Sequence, residues 1–245
     1  MSRIVIVAAT GGVGRHLLRR SVLAGHRVTA VVRSPQRLAG ELARLGAEAV
    51  ASEPVGDAGQ TVQPVRVVRA DMAAPEAEVL RDAVGGADVV LSGLGARRGV
   101  EAGVASRGTA ALVEAMIQTG VRRIVAVSAA SVGTVPSPLR PDPPRHNPGD
   151  GVVMRHVFAP ISKALFRPHY ADLALMEDVL EASGLEWTVS RPPRLLNVRL
   201  RRAYRTAVDV NVRGGLFIAR DDVARHMLAM STDPATIGHR VGIAY

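Results

Sequence analysis

An apolar run, a cluster of small residues and an amphipathic stretch follow one another at the start of this chain, and together they leave few folds open. Arg3–Ala8 reads Arg-Ile-Val-Ile-Val-Ala without polar alternation, the pattern of a strand buried on both faces of a parallel sheet. Thr10-Gly11-Gly12-Val13-Gly14 comes next. From Gly12 to Ala24, Val13, Leu17, Leu18, Val22 and Leu23 recur at helical spacing, and Gly25 ends the helix. A strand that passes through glycines straight into a helix leaves the first helical N–H groups uncovered by side chains. That is a ready seat for an anion.

The unit then repeats. Arg27–Val32, Val65–Arg69, Asp88–Ser92 and Arg122–Ser128 read as further strands, and Pro35–Leu45, Pro75–Val84 and Gly103–Thr119 as helices between them, with a loop over Ala51–Pro64. This alternation predicts an α/β fold, a doubly wound parallel sheet of the Rossmann kind with helices on both faces. Thr134–Gly151 breaks the rhythm with six prolines and reads as a loop of the sort that covers a site. Beyond it come a helix at Ala171–Ser183 closed by Gly184 and a strand at Glu186–Ser190. An alternating edge strand at Arg201–Val212, a helix at Asp221–Met230 and a last strand at Arg240–Ala244 complete the chain. A length of 245 residues suits one domain, with residues 152–245 forming a small extension that shapes a substrate pocket.

Composition removes several classes of chemistry. There is no cysteine, so thiolate nucleophiles and Cys-ligated metals are excluded. Lys163 is the only lysine, so nearly all the positive charge behind the net +9 is arginine. The arginines are scattered as pairs such as Arg19-Arg20 and Arg122-Arg123, and three Phe, three Tyr and one Trp offer little for stacking on bases. The charge therefore reads as a solvated surface rather than a nucleic-acid patch, and it also suits an anionic cofactor or substrate. The apolar N-terminal run is too short for a signal peptide, and no stretch reaches the length of a membrane span. A cytoplasmic monomer or homodimer is expected.

The second strand ends in Arg33-Ser34, with Arg37 one turn on, about 20 residues beyond the glycine loop. In sheets of this kind an acidic residue at that place binds a ribose 2′-hydroxyl, whereas guanidinium groups suit a 2′-phosphate. The pattern predicts NADP(H) in preference to NAD(H).

These residues resemble the atypical short-chain dehydrogenase/reductase proteins, the branch of NmrA-like proteins and of the biliverdin reductase B type flavin reductases. The likeness spans nearly the whole chain. It rests on Thr10–Gly14, on Val31-Val32-Arg33-Ser34, on Ala70-Asp71 and on Leu94-Gly95-Ala96-Arg97. It continues through Val125–Ser128 and the run Ser183-Gly184-Leu185-Glu186-Trp187-Thr188-Val189-Ser190-Arg191-Pro192-Pro193. The resemblance implies Asp71 by the adenine, Gly95 by the nicotinamide ribose, and Ser128 and Pro193 framing the nicotinamide. Met72, Leu94, Ala96 and Arg97 complete the set expected at the cofactor.

Two departures stand out. Ala8 takes the place of the first glycine of the usual loop. The Tyr-x-x-x-Lys pair of the superfamily, in which lysine lowers the tyrosine's pKa, cannot form: Ala159 stands four residues before Lys163, and Ala174 four after Tyr170. Hydride transfer itself needs only a positioned acceptor and excluded water, so a reductase of flavins, quinones or related conjugated carbonyls is the first expectation. Tyr170 is then the candidate proton donor, with Ser128 beside the reacting groups, and Arg194 and Leu195 face the substrate. An NmrA-like redox sensor and a sugar-nucleotide epimerase are the alternatives. No Gly-x-Ser-x-Gly elbow marks a hydrolase, and His146, His156 and His169 lack a zinc-site spacing, so no metal is expected.

Overall fold

The structure is a computed structural model that describes residues 1–50, 63–95, 103–151, 156, 159–198, 200 and 202–245. Four neighbouring strands come from its N-terminal part: β1 (Arg3–Val7), β2 (Arg27–Val32), β4 (Gln63–Arg69) and β5 (Val89–Ser92). With β3 (Ala47–Val50), β6 (Arg123–Val127), β7 (Glu186–Arg191), β9 (Arg205–Val208) and β11 (His239–Ala244) they form a nine-stranded sheet in the order β3-β4-β2-β1-β5-β6-β7-β11-β9. Every pairing is parallel except that of the edge strand β9 with β11. A small second sheet pairs β8 (Arg194–Leu196) with β10 (Phe217–Ala219).

Both faces of the large sheet are covered. Successive residues of β1 point to opposite sides: Val5 and Val7 pack with α3 (Ala77–Val84), α4 (Val104–Thr119) and α5 (Ala159–Ala182). Ile4 and Ile6 pack with α1 (Gly14–Leu23), α2 (Ala39–Arg44) and α6 (Arg220–Met230). This is why the central strands carry no polar alternation.

The doubly wound sheet read from the sequence is therefore the observed one, and β2 matches its expected bounds. The differences have physical causes. The first strand stops at Val7 because Ala8 turns into the left-handed region, at φ 59°. The expected helix at Pro35–Leu45 divides into a 3₁₀ turn, Pro35–Arg37, and α2. Residues 51–62 of the expected loop lie outside the described residues, and its last two positions belong to β4. The short strands β3, β8 and β10 have no counterpart in the sequence reading. The helix expected from Ala171 begins at Ala159 and runs through Pro168, with a kink at Phe166 (φ −117°, ψ 20°). The Pro-rich segment is tied down: Ser137 Oγ and Leu139 N donate to Asp178, and Asn147 Nδ2 donates to the Ala130 carbonyl at 3.0 Å.

The glycine loop is held by contacts too close for side chains. A Cβ on Gly14 would lie 2.1 Å from the Ala8 carbonyl oxygen, so only glycine fits there. Ala8 itself holds a conformation that costs a non-glycine residue about 1–2 kcal/mol. Ala8→Gly should therefore stabilise the fold by about 1 kcal/mol in urea unfolding. No gain would show that the methyl is compensated by its packing.

Candidate functional site

The sheet order reverses at β1: the chain runs outward through β2 and β4 on one side and returns to β5 on the other. Such a switch point opens a crevice at the carboxyl ends of the strands. A cleft of about 430 Å³ lies there. Its floor is the glycine loop, from Ala8 and Thr10 to Val13. One wall is Arg33, Ser34 and Arg37 after β2, with Asp71 and Met72 after β4. The inner end is formed by Leu94 and Gly95 after β5, Ser128 after β6, and His169 and Leu173 on α5. Leu195 and Arg220 close it from the C-terminal half.

Of the residues expected at a cofactor, Thr10, Gly11, Gly12, Val13, Arg33, Ser34, Arg37, Asp71, Met72, Leu94, Gly95 and Ser128 line this one cleft. Gly14 lies beneath it, where its missing side chain lets α1 start directly against β1 and β5: a Cβ on Gly93 would be 3.2 Å from the Gly14 nitrogen. Pro193, half-buried, does not line the cleft, and its neighbour Pro192 accepts a hydrogen bond from Ala130 N at 2.9 Å. Ala96 and Arg97 lie outside the described residues. Of the two residues expected at the substrate, Leu195 faces the cleft, while Arg194 is exposed at the start of β8 and does not. Residues 134–151 contribute nothing to the lining, so the Pro-rich segment forms no wall of this cleft.

Tyr170 is also off the wall. It packs half-buried against the core below α4 and α5, its ring 6.1 Å from that of Phe166, and His169 faces the cleft in its place. The reason is helical rotation. Because α5 extends well before Ala171, His169 and Leu173 share one face, and a shift of one residue turns a side chain about 100° away.

Arg220 had no signal in the sequence. It opens α6, and the next residue, Asp221, is clamped by Arg20 of α1 through Nε at 2.9 Å and Nη2 at 2.6 Å. That bidentate pair brings the start of α6 onto the start of α1, and Arg220 then crosses the glycine loop. A Cβ on Gly12 would sit 2.8 Å from Arg220 Nε. The guanidinium donates to the Leu195 carbonyl (3.2 Å) and to Asn197 Oδ1 (2.7 Å), both neutral. Burial, and then the nearby Arg15 cation, pull its pKa down from the usual arginine value. Among the described residues, Arg33, Arg37 and Arg220 face the cleft against the single carboxylate of Asp71, so the cleft carries the field of an anion site.

Beneath the inner end lies a buried ionic network. Glu177 of α5 is 1% exposed. It accepts from Ser128 Oγ at 2.6 Å, from Arg191 through Nε at 3.0 Å and through a second, short contact from Nη2, and from Arg240 Nε at 3.2 Å. Burial alone would push the Glu177 carboxyl up. The charge and hydrogen bond of Arg191, the Ser128 hydroxyl and Arg240 outweigh that and hold it below the usual carboxylate range. The network joins β6, β7, β11 and α5 and fixes the Ser128 hydroxyl with its hydrogen turned away from the cleft.

A family model described as NAD(P)H-binding matches residues 8–234. The chain belongs to that NAD(P)H-binding family. The match covers the glycine loop, every wall of the cleft and the Arg220 helix, and the residues present fit a dinucleotide: a floor that side chains would fill, and guanidinium groups along it. Solved structures share the fold. One is ChuY, an anaerobilin reductase from Escherichia coli O157:H7, with a TM-score of 0.68 and 20% identity over 98% of this chain and 97% of that one. Another is a short-chain dehydrogenase/reductase from Veillonella parvula in complex with NADP, with a TM-score of 0.69 and 17% identity over 100% and 94%. A third is SP1627 from Streptococcus pneumoniae, a candidate NADH-flavin reductase, with a TM-score of 0.67 and 18% identity over 100% and 99%. The fold that the resemblance to atypical short-chain dehydrogenase/reductase proteins implies is the fold these structures share with the chain. Among the described residues no helix is long and apolar enough to cross a membrane.

The network sets a pH dependence. Because the native Glu177 carboxyl is held low, its contribution to stability is full at neutral pH and is lost as the pH falls below the unfolded value of about 4.3. Glu177→Gln leaves the buried Arg191 guanidinium without its counter-charge, while Arg240 keeps Glu181, and should cost about 3 kcal/mol in urea unfolding near neutral pH. The loss should shrink in acid, where the wild-type carboxyl is itself protonated. A loss of the same size at every pH would assign the effect to packing rather than charge.

Proposed function

We propose that the protein is an NADPH-dependent oxidoreductase that reduces a conjugated small-molecule acceptor such as a flavin, a quinone or a related carbonyl. The observation that carries this reading is the arrangement of three cleft-facing arginines along one glycine-floored groove. In this reading the N–H groups at the start of α1 hold the pyrophosphate from below and Arg220 holds it from above. Arg33, Ser34 and Arg37, at the outer end, hold a 2′-phosphate. Asp71 and Met72 meet the adenine, and Gly95, Leu94 and Ser128 meet the nicotinamide ribose and ring.

When bound, the cofactor supplies a hydride from its nicotinamide. The chain's own residues orient it and exclude water: the buried side chains of Leu94 and Leu173 make the inner end apolar. Reductases and an epimerase/dehydratase-like protein alike share the fold, and it is the missing Tyr-x-x-x-Lys pair that supports a reductase of conjugated acceptors over an epimerase. The family's binding function is equally served by a sensor, which would bind the dinucleotide and leave it unconsumed.

Calorimetric titration with NADPH and NADH, followed by FMN or menadione while the nicotinamide absorbance is watched, tests the reading. Tight NADPH binding and oxidation are expected, whereas binding without oxidation by any acceptor would establish the sensor instead. Arg33→Ala should weaken NADPH by at least about tenfold and NADH by less than about twofold. Arg220→Ala should weaken both by a similar factor, about tenfold, because both carry the pyrophosphate. Equal losses in Arg33→Ala would remove the 2′-phosphate role.

A further inference from the structure

His169 occupies the inner end of the cleft. It stands on the same face of α5 as Leu173 and faces the side where β5 and β6 end. Its Cε1 edge, flanked by both ring nitrogens, lies 3.7 Å from where a Cβ on Gly95 would be. Nδ1 is buried and has no hydrogen-bond partner. Tyr170 packs beside the ring at 5.9 Å between centroids. Asp172, whose charge acts on the ring, is committed elsewhere: it accepts from Ala105 N, Ser106 N and Ser106 Oγ at the start of α4.

No other group described at this inner end can give up a proton near neutral pH. The Ser128 hydroxyl already donates to Glu177. Arg33, Arg37 and Arg220 line the outer and upper walls, and among the described residues Asp71 is the one carboxylate that lines the cleft.

We infer that His169 is the acid of this site, and that the acceptor it serves is a carbonyl or enone whose reduction leaves negative charge on oxygen. The inference rests on the NADPH reductase reading above. The acceptor's carbon gains the hydride and its π pair moves to oxygen; the His169 N–H bond breaks as the O–H bond forms; the neutral imidazole then regains a proton from solvent. A flavin or quinone spreads its charge and can wait for a solvent proton, so an acid placed here matters most for a carbonyl. Burial lowers the His169 pKa below 6.5 and Asp172 partly opposes that, so the imidazolium forms on the acid side of neutrality and turnover rises as the pH falls.

Two readouts test it. The first needs no substrate. Kd is measured by calorimetry for NADP+ and for NADPH from about pH 5 to about pH 8 in the wild type and in His169→Gln. An imidazolium against the inner end repels the cationic oxidised ring but not the neutral reduced one, and the 2′-phosphate is common to both. The ratio of the two Kd values should rise at least about fivefold toward acid in the wild type and stay flat in His169→Gln. A flat ratio in a wild-type protein that binds both dinucleotides overturns the placement of His169 alone. Failure to bind either dinucleotide overturns the reductase reading and this inference with it.

The second readout compares 2-cyclohexenone with menadione. His169→Gln should cut enone turnover about a hundredfold and remove its acid limb, while cutting menadione turnover far less. Equal losses on both acceptors, or no enone turnover in a wild type that shows the pH-dependent ratio, would overturn the acid role.

Discussion

The fold turns on one close approach. Ala8 bends out of β1 into the left-handed region, and its carbonyl oxygen accepts from Gly11 N at 2.8 Å while sitting where a Gly14 side chain would have to be. Because nothing separates that carbonyl from the first turn of α1, the helix starts directly on the carboxyl ends of β1 and β5. The uncovered N–H groups, the width of the cleft and the position of its floor all follow. The alanine pays for this with backbone strain that a glycine would avoid, and strain of this sort persists where the surrounding packing over-determines the turn.

Two ionic contacts carry the geometry from that turn to the rest of the site. The Arg20–Asp221 pair holds α6 against α1 and so delivers Arg220 to the loop from two hundred residues away in sequence. The Glu177 network does the same work at the inner end, tying the ends of β6, β7 and β11 to α5 and fixing Ser128. Removing one partner of a buried network of this kind costs far more than the pair contributes in isolation. At the inner end Ser128 and Glu177 are satisfied by the same residues that hold the sheet to the helix.

The first half of the chain was legible because buried parallel strands announce themselves as unbroken apolar runs between glycines. β2 and the placement of Arg33 and Ser34 after it followed from that pattern, as did the glycine loop. The second half was not. β8 and β10 have three residues each and exist only because they pair with one another. The sequence pattern marks α5 only from Ala171 and the candidate donor at Tyr170, whereas the helix begins at Ala159 and it is His169, one residue earlier, that faces the cleft. Arg220 and Glu177 carry no local mark: an arginine before a helix and a glutamate beside Asp178 look like solvated charges until the tertiary contacts place them. Arg194 was expected at the substrate from the turn before it, but the short β8–β10 sheet points it to solvent.

The central claim is that one cleft holds a phosphorylated nicotinamide dinucleotide in one orientation. A crystal structure of the protein with NADP+ tests it most directly. The pyrophosphate is expected on the N–H groups of Gly12–Gly14 under Arg220, the 2′-phosphate against Arg33, Ser34 and Arg37, and the nicotinamide between Ser128, Gly95 and His169. A reversed dinucleotide, or one bound away from the glycine loop, would contradict it.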